Sequence, residues 1–202
     1  PVDVAETVIP DYVIVSITGV GGYAGWITST AVTSVVFSPS WSGDRTVLVI
    51  TVDDLAPATY LQTGKWGTSK YWNKGDYPPA VELKDAEGDP IAAVLSGIAL
   101  PSDYSGFDGE LRTSWVFVNI GDGEVEVAGI VRKVENARAS ETCSPTGDPE
   151  LASIAYHGTV EDGGKLMLGV LSGLGDCAGI QVFRTDDFDP CCPAWRSCGL
   201  QN

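Results

Sequence analysis

Short runs of alternating apolar and polar residues recur along the chain, and many of their apolar positions are Val or Ile. Successive side chains of a β-strand point to opposite faces, so period-two alternation of β-branched residues predicts strands half buried in a sheet. The pattern predicts nine strands, at residues 12–18, 27–37, 46–53, 91–100, 113–120, 124–134, 154–160, 165–172 and 180–184.

Glycine-containing turns separate several of these runs, at residues 87–90, 121–124 and 162–164. Asp-Gly and Gly-Gly pairs adopt the positive φ angles that tight hairpin turns require. Amphipathic helix is poorly supported, because the best stretches, 134–139 and 149–152, are short and contain few strong helix formers. The expected fold is therefore all-β: an antiparallel sandwich or barrel of about nine short strands.

One polar stretch divides the chain. Residues 136–150, with the sequence NARASETCSPTGDPE, contain two prolines and few apolar side chains, which is typical of a linker or a long crossing loop. We therefore expect a β-sandwich domain over residues 1–135 and a C-terminal β-hairpin region with a cysteine-rich tail over residues 151–202. The two parts can also belong to one domain.

The charge of the chain restricts its partners. Its 202 residues include 12 Lys and Arg against 27 Asp and Glu, a formal net charge of −15. Nucleic acids and anionic lipid surfaces are bound by positive faces that release counterions, so neither is an expected partner. A membrane-spanning helix needs roughly 18 or more consecutive apolar residues, and no run in this sequence approaches that length.

All five cysteines lie in the last third of the chain: Cys143, Cys177, Cys191, Cys192 and Cys198. Zinc sites combine closely spaced cysteine pairs with further Cys or His ligands, and this spacing offers none. We therefore expect disulfides that staple an irregular C-terminal tail, and an extracellular or virion location. The odd number leaves one thiol free or bonded to a neighbouring copy. Adjacent Cys191 and Cys192 point in opposite directions in an extended chain, so each would reach a different partner.

A glycine-rich turn after the first predicted strand has the spacing of a dinucleotide-binding loop. Residues 19–24 read GVGGYA and follow the run 12–18. That chemistry needs a helix to begin at the glycines, since the helix N-terminus holds the pyrophosphate. Residues 26–33 are instead rich in β-branched side chains. An inter-strand loop is the better interpretation, with an oxidoreductase as a third function class.

Candidate catalytic and metal-binding groups each have a simpler explanation. His157, the one histidine of the chain, lies in a strand pattern and is expected to be a half-buried structural residue. No G-x-S-x-G motif presents a serine nucleophile. The acidic stretches 85–89, 103–110 and 186–189 contain the oxygen ligands that calcium prefers, but none has the spacing of an EF-hand loop, so acidic turns are expected. The sequence pairs no two carboxylates for glycoside cleavage. We expect no cofactor, no metal and no enzymatic activity.

Residues 60–77, which we call the aromatic–lysine segment, are the part of the chain whose sequence is least typical of a purely structural region. Five aromatic residues lie among three of the chain's 12 basic residues: Tyr60, Lys65, Trp66, Lys70, Tyr71, Trp72, Lys74 and Tyr77. Aromatic side chains with a polar group are favoured at contact surfaces, and glycans bind to flat rings. Three interpretations remain open: docking of a neighbouring acidic copy, binding of a glycan, or a loop that folds back to cap its own sandwich.

These observations favour a non-enzymatic structural subunit of an extracellular assembly, such as a virion component (a capsid decoration or tail protein) or a surface filament. Its expected partners are copies of itself and other subunits of the particle. The alternative is a secreted carbohydrate-binding β-sandwich module that uses Trp66, Tyr71 and Trp72. No motif resembles that of a known family.

Overall fold

A computed structural model describes residues 25–27, 29–66, 71–73, 77–85, 87–120, 128–136, 138–142, 150–172, 181–186 and 194–198. Across these residues the chain is nearly all antiparallel β-structure, arranged in three sheets. No helix in this part of the chain has the length and apolar character needed to cross a membrane.

The first sheet has five strands. They are β1 (Ala31–Phe37), β2 (Thr46–Asp53), β3 (Ala58–Lys65) and β4 (Tyr71–Trp72), side by side in that order, with β5 (Val81–Leu83) also paired to β3. A single helical turn, α1 (Trp41–Asp44), connects β1 to β2. Strand β1 is therefore one edge of this sheet.

The other two sheets are four-stranded meanders. The second contains β6 (Ala93–Ala99), β7 (Thr113–Ile120), β8 (Ala128–Glu135) and β9 (Arg138–Thr142). The third contains β10 (Glu150–Gly158), β11 (Gly164–Ser172), β12 (Gln181–Thr185) and β13 (Arg196–Ser197). Among the described residues all three sheets stay open, so the closed barrel offered by the sequence pattern is not observed.

The second sheet is the middle layer, because its strand β7 is buried on both faces. Val116 and Val118 belong to a first core, and Trp115 and Phe117 belong to a second. The first core is completed by Leu48, Ile50, Val52, Leu61, Val81, Leu83, Ile91, Ala93, Tyr104 and Val134. The second is completed by Ala99, Val131, Leu151, Leu166, Leu168 and Val170. Since alternate residues of a strand face opposite ways, one strand supplies both cores.

Polar contacts hold β10 and the turn after it on the preceding part of the chain. The amide Nδ2 of Asn119 donates to the Leu151 carbonyl oxygen at 2.6 Å, and the Leu151 N–H donates to Asn119 Oδ1 at 3.1 Å. Near the far end of β10, the Val160 N–H donates to Asp103 Oδ1 at 2.8 Å. The C-terminal strands are thus packed directly on the front part of the chain.

Most of the predicted strands are confirmed. Strands β2 and β7 have the predicted bounds, and six others are displaced by no more than four residues at either end. The predicted strand 12–18 lies outside the described residues. The turn at 162–164 joins β10 to β11, with Gly163 at φ 77°, while Gly88 in the turn 87–90 has φ 89°. The turn predicted at 121–124 is also outside the described part of the chain.

Several strands were missed for physical reasons. Strand β3 is buried but carries Thr, Gln and Gly at many positions, so it has no period-two apolar pattern. Strand β9 lies inside the predicted linker 136–150, and a turn at Asn136 (φ 54°) leads into it. It pairs with β8 alone among the described strands, and such an edge strand needs little apolar sequence. Of the weak helix candidate 134–139, residues 134–136 and 138–139 are strand and turn instead.

Candidate functional site

The described parts of the aromatic–lysine segment lie in β3, in β4 and at Tyr77. Lys65, Trp66 and Tyr71 lie at the end of the first sheet where β2 begins, whereas Tyr60 pairs with Thr51 toward the other end. Six of its eight candidate residues are described: Tyr60, Lys65, Trp66, Tyr71, Trp72 and Tyr77. Lys70 and Lys74 lie outside the described residues. Of the three lysines that distinguish this segment, Lys65 is therefore the one whose position is described.

Trp72 is not available to a partner. It pairs in register with Gly64, and its ring lies where a Cβ on Gly64 would come within 2.6 Å of ring atoms. Trp26 contacts it edge-on, with ring centroids 4.8 Å apart, and Trp72 is only 4% exposed. The expectation that Trp72 offers a flat face to a glycan or a neighbour is corrected by this packing.

Tyr77 is also buried, so it too differs from the expected contact residue. Its hydroxyl lies 2.7 Å from Thr46 Oγ1 and donates to the Asp44 carbonyl oxygen at 3.3 Å. The Tyr71 ring meets it edge-on at 5.6 Å between centroids. Burial raises the pKa of Tyr77, against an opposing contribution from the Thr46 hydrogen bond. Tyr77 therefore has a structural position between β2 and Tyr71.

A buried carboxylate organises the same corner. Asp44 accepts hydrogen bonds from Ser38 Oγ at 2.7 Å, the Gly106 N–H at 2.9 Å and the Thr46 N–H at 3.0 Å. These contacts join α1, β2 and the loop before β7. A buried carboxylate is tolerated when its lone pairs are satisfied, and Asp44 meets this condition. Its described role is therefore structural.

Gln62 fixes two segments on the outer face of the first sheet. Its Oε1 accepts from the Ile27 N–H at 2.9 Å and from Asn73 Nδ2 at 2.7 Å. Its Nε2 donates to the Ile27 carbonyl at 3.1 Å and to Thr51 Oγ1 at 2.8 Å. All four hydrogen-bonding positions of the amide are used. Trp72, Asn73 and Tyr77, within the described part of the aromatic–lysine segment, therefore pack on the segment's own sheet, as in the third interpretation.

Cationic groups near aromatic rings remain at this end of the sheet. The Lys65 Nζ lies 4.6 Å from the centroid of the Phe107 ring, which is 45% exposed. The Arg45 guanidinium lies 6.0 Å from the Trp41 ring, and the Trp66 N–H donates to the Arg45 carbonyl at 2.9 Å. Such contacts are weakly attractive while leaving the cation open to other groups.

The most exposed apolar surface here was not identified from the sequence. Val35 and Phe37, on the outer face of β1, are 54% and 60% exposed. The Trp41 ring meets the Phe37 ring edge-on, with centroids 4.7 Å apart, and Arg45 is the residue directly after α1. We call Val35, Phe37, Trp41 and Arg45 the Phe37 patch. The alternation of β1 predicts a strand, but it does not show which outward residues a neighbouring segment covers.

The remaining candidates take structural or solvent-exposed positions. His157 is exposed on the outward face of β10, opposite Lys165, rather than half-buried. In the acidic turn 85–89, Asp85 Oδ1 accepts from the Asp89 N–H at 2.7 Å. Within the described residues no group of three metal-ligating side chains converges. Of the acidic stretch 186–189 only its first residue is described, and the glycine-rich turn 19–24 lies outside the described part.

The described part of the C-terminal tail is held without a disulfide. Strand β13 pairs with β12, and Trp195 packs against the second core. Cys198 is exposed, and its N–H donates to the Val182 carbonyl at 2.8 Å. Residues 194–198 are therefore more regular than expected. The other four cysteines, Cys143, Cys177, Cys191 and Cys192, lie outside the described residues.

No family model, curated protein or solved structure matches this chain. The functional argument therefore rests on the surface of the first sheet. Its distinguishing feature is an exposed apolar edge beside the cation Arg45, on a chain with a formal net charge of −15.

Proposed function

We propose that this chain is a non-enzymatic structural subunit of an extracellular assembly, such as a virion component or a surface filament, and that it contacts copies of itself. The observation that carries the proposal is the Phe37 patch. Phe37 and Val35 are more than half exposed on an edge strand, next to an aromatic residue and a cation. Contiguous exposed apolar surface marks an interaction site in a soluble protein.

The arrangement of the layers supports the same role. We interpret the three packed sheets as an extended β-sandwich whose inner layer is shared. Asp44 and Asn119 use buried hydrogen bonds to hold one layer or loop on another, and Gln62 uses partly buried ones to hold two segments on its sheet. A rigid body loses little conformational freedom when it docks, which favours repeated contacts between copies.

The extracellular location rests on the cysteines. We propose that disulfides among them staple the tail and that the odd thiol is free or bonded to another copy. In the chain-entropy model one such bond contributes on the order of 3–4 kcal/mol. Cys198 is exposed at the end of β13, a position from which a thiol can reach a neighbouring molecule.

The alternative function, a secreted carbohydrate-binding module, has less support. It requires flat aromatic faces, and Trp72 is 4% exposed beneath Trp26. Trp66 and Tyr71 are half-buried and remain as candidates. Retardation on a glycan column that disappears in Trp66→Ala would support this alternative.

The proposed function is tested by the mass of the native protein in solution. Light scattering over a wide concentration range should show species larger than one chain. Phe37→Lys should shift them toward the monomer with an unchanged circular dichroism spectrum, because a charge in a desolvated contact is costly. The matched control is Leu171→Lys, at a 45% exposed position on the third sheet, which should not change the mass. A wild-type protein that is monomeric at every concentration contradicts the proposal.

A further inference from the structure

The first sheet presents two different surfaces at its opposite ends. Strand β2 has eight residues, so its ends are roughly 26 Å apart. The Phe37 patch lies at the end where β2 begins. At the other end, β2 turns into β3 through residues 53–57, which we call the Leu55 turn. Leu55 is 87% exposed, the most exposed of the large apolar side chains described.

The Leu55 turn is held in one shape by its own hydrogen bonds. Asp53 Oδ1 accepts from the Leu55 N–H at 3.0 Å and from the Ala56 N–H at 3.3 Å. The Asp54 N–H donates to Thr30 Oγ1 at 3.1 Å. Leu55 therefore projects from an ordered turn, and little entropy is lost when it enters a contact.

The charged side chains directly beside Leu55 and beside Phe37 are opposite in sign. Asp54 is exposed beside Leu55, and the acidic turn 85–89 follows β5 at the same end, since Leu83 pairs with Thr59 at the start of β3. Lys84 lies there too, but its Nζ is 3.3 Å from Glu82. In the Phe37 patch the charged residue is Arg45. The Leu55 turn combines an exposed apolar side chain with carboxylates, and the Phe37 patch combines exposed apolar side chains with a cation. The two surfaces are therefore complementary.

We infer that copies of this chain associate head to tail, with the Leu55 turn of one copy docked on the Phe37 patch of the next. Leu55 packs against Phe37 and Trp41, and Asp54 pairs with Arg45. This inference rests on the proposed function and names its contact surface. Because the two surfaces differ, the contact is heterologous and generates a ring or a filament rather than a closed twofold dimer.

A twofold contact of the Phe37 patch with itself is the competing arrangement. It would bring two Arg45 side chains into one interface, and the patch contains no carboxylate to compensate them. Like charges in a desolvated contact are unfavourable, so the acidic turn is the better occupant. The two arrangements give different results when variants are mixed.

The mixing experiment uses Phe37→Lys, which disables the patch, and Leu55→Lys, which disables the turn. Each variant alone should be monomeric by native mass spectrometry, at concentrations where the wild type is multimeric. An equimolar mixture should form a one-to-one dimer and nothing larger, because one intact patch and one intact turn remain. In the twofold arrangement, Leu55→Lys alone would still dimerise, and this result would overturn the inference.

Charge reversal provides an independent measurement. Arg45→Glu and Asp54→Arg should each weaken association about tenfold or more, and the double variant should recover most of the loss. The matched controls are Arg184→Glu, at an exposed position of β12, and Glu161→Lys, in the exposed turn between β10 and β11, which should leave association unchanged. Leu55→Ser is the milder variant if Leu55→Lys fails to fold, as judged by circular dichroism.

The outcomes separate the inference from the proposed function. If the wild type is multimeric and the Leu55 variants associate equally well, the head-to-tail contact is wrong and the assembly role stands. If the wild type is monomeric at every concentration, both are wrong. If only the patch and turn variants lose association and the mixture dimerises, both are supported.

Discussion

The two cores of this protein share the second sheet, yet they are built from different side chains. Among its buried residues the first core is mainly aliphatic, with Tyr104 as its aromatic member. The second places Trp115 and Phe117 of β7 at its centre, with Tyr156 stacked on Trp115 at 6.4 Å between centroids. The Phe117 ring occupies the space beside Gly97, where a Cβ would lie 2.4 Å from a ring carbon.

The first and third sheets are held on the second sheet by different contacts. The first sheet is held on the second sheet by many aliphatic contacts and by the hydrogen bonds that Asp44 accepts. The third sheet is held by the smaller second core, in which Trp115 and Phe117 pack against aliphatic residues of β10 and β11. Asn119 adds hydrogen bonds to β10, and Asp103 adds one to the turn after it. A single substitution should therefore release the third sheet more easily than the first.

The largest expected effect is the loss of the Phe117 ring. Phe117→Ala should lower the free energy of unfolding by about 3–5 kcal/mol, because the second core cannot refill so large a cavity. Leu48→Ala, in the first core, should cost about 2–5 kcal/mol. Urea unfolding measures both values, and hydrogen exchange shows where the protein opens.

The exchange pattern tests the comparison itself. In Phe117→Ala the amides of β11 should exchange faster than those of β2, whereas Leu48→Ala should not show this difference. Leu171→Ala, at an exposed position, is the control and should change stability by less than about 0.5 kcal/mol. Equal protection of β2 and β11 in Phe117→Ala would show that the cores open together.

A smaller effect is expected from the bridge between the second and third sheets. Asn119→Leu removes both hydrogen bonds to Leu151. The buried N–H and carbonyl of Leu151 then lack those partners. The expected loss is at least about 2 kcal/mol in urea unfolding, since two buried groups are orphaned and each costs at least about 1 kcal/mol. Ser102→Ala removes an exposed hydrogen bond to the Gly158 carbonyl near the other end of β10 and serves as the control. A loss no greater than that of the control would mean that the rings alone hold the third sheet.

The smallest effect appears in alkaline solution. Burial raises the pKa of Tyr104 in the first core, and burial followed by the nearby Asp103 carboxylate raises that of Tyr156 in the second. The neutral phenols are thus favoured in the folded state. Their contribution is fully present below the unfolded pKa of 10.0 and is lost as the pH rises above it.

The loss of folding stability at high pH should differ between the two cores. Tyr104 is 2% exposed and Tyr156 is half-buried, so Tyr104→Phe should flatten the decline in stability more than Tyr156→Phe. Urea midpoints measured from about pH 8 to about pH 11 provide the test. An identical decline in the two variants would show that these tyrosines do not distinguish the cores.

The candidate site was predicted in part. The sequence identifies residues 60–77 as unusual, and Lys65, Trp66 and Tyr71 lie at the end of the sheet where the Phe37 patch is found. The sequence does not identify Phe37, because a strand pattern does not show which residues cover the outer face of the strand. It also misplaces Trp72, since nothing in the local sequence shows that Gly64 leaves room for an indole ring.

Strand positions such as β2 and β7, and the turn at Gly163, were determined by the sequence itself, because backbone sterics and side-chain alternation act over a few residues. Only the tertiary structure decided that β7 serves two cores and that Gln62 joins two distant segments. It also decided which apolar residues of β1 remain exposed. These features depend on contacts between residues far apart in the chain, and a local pattern carries no information about which distant surface will cover it.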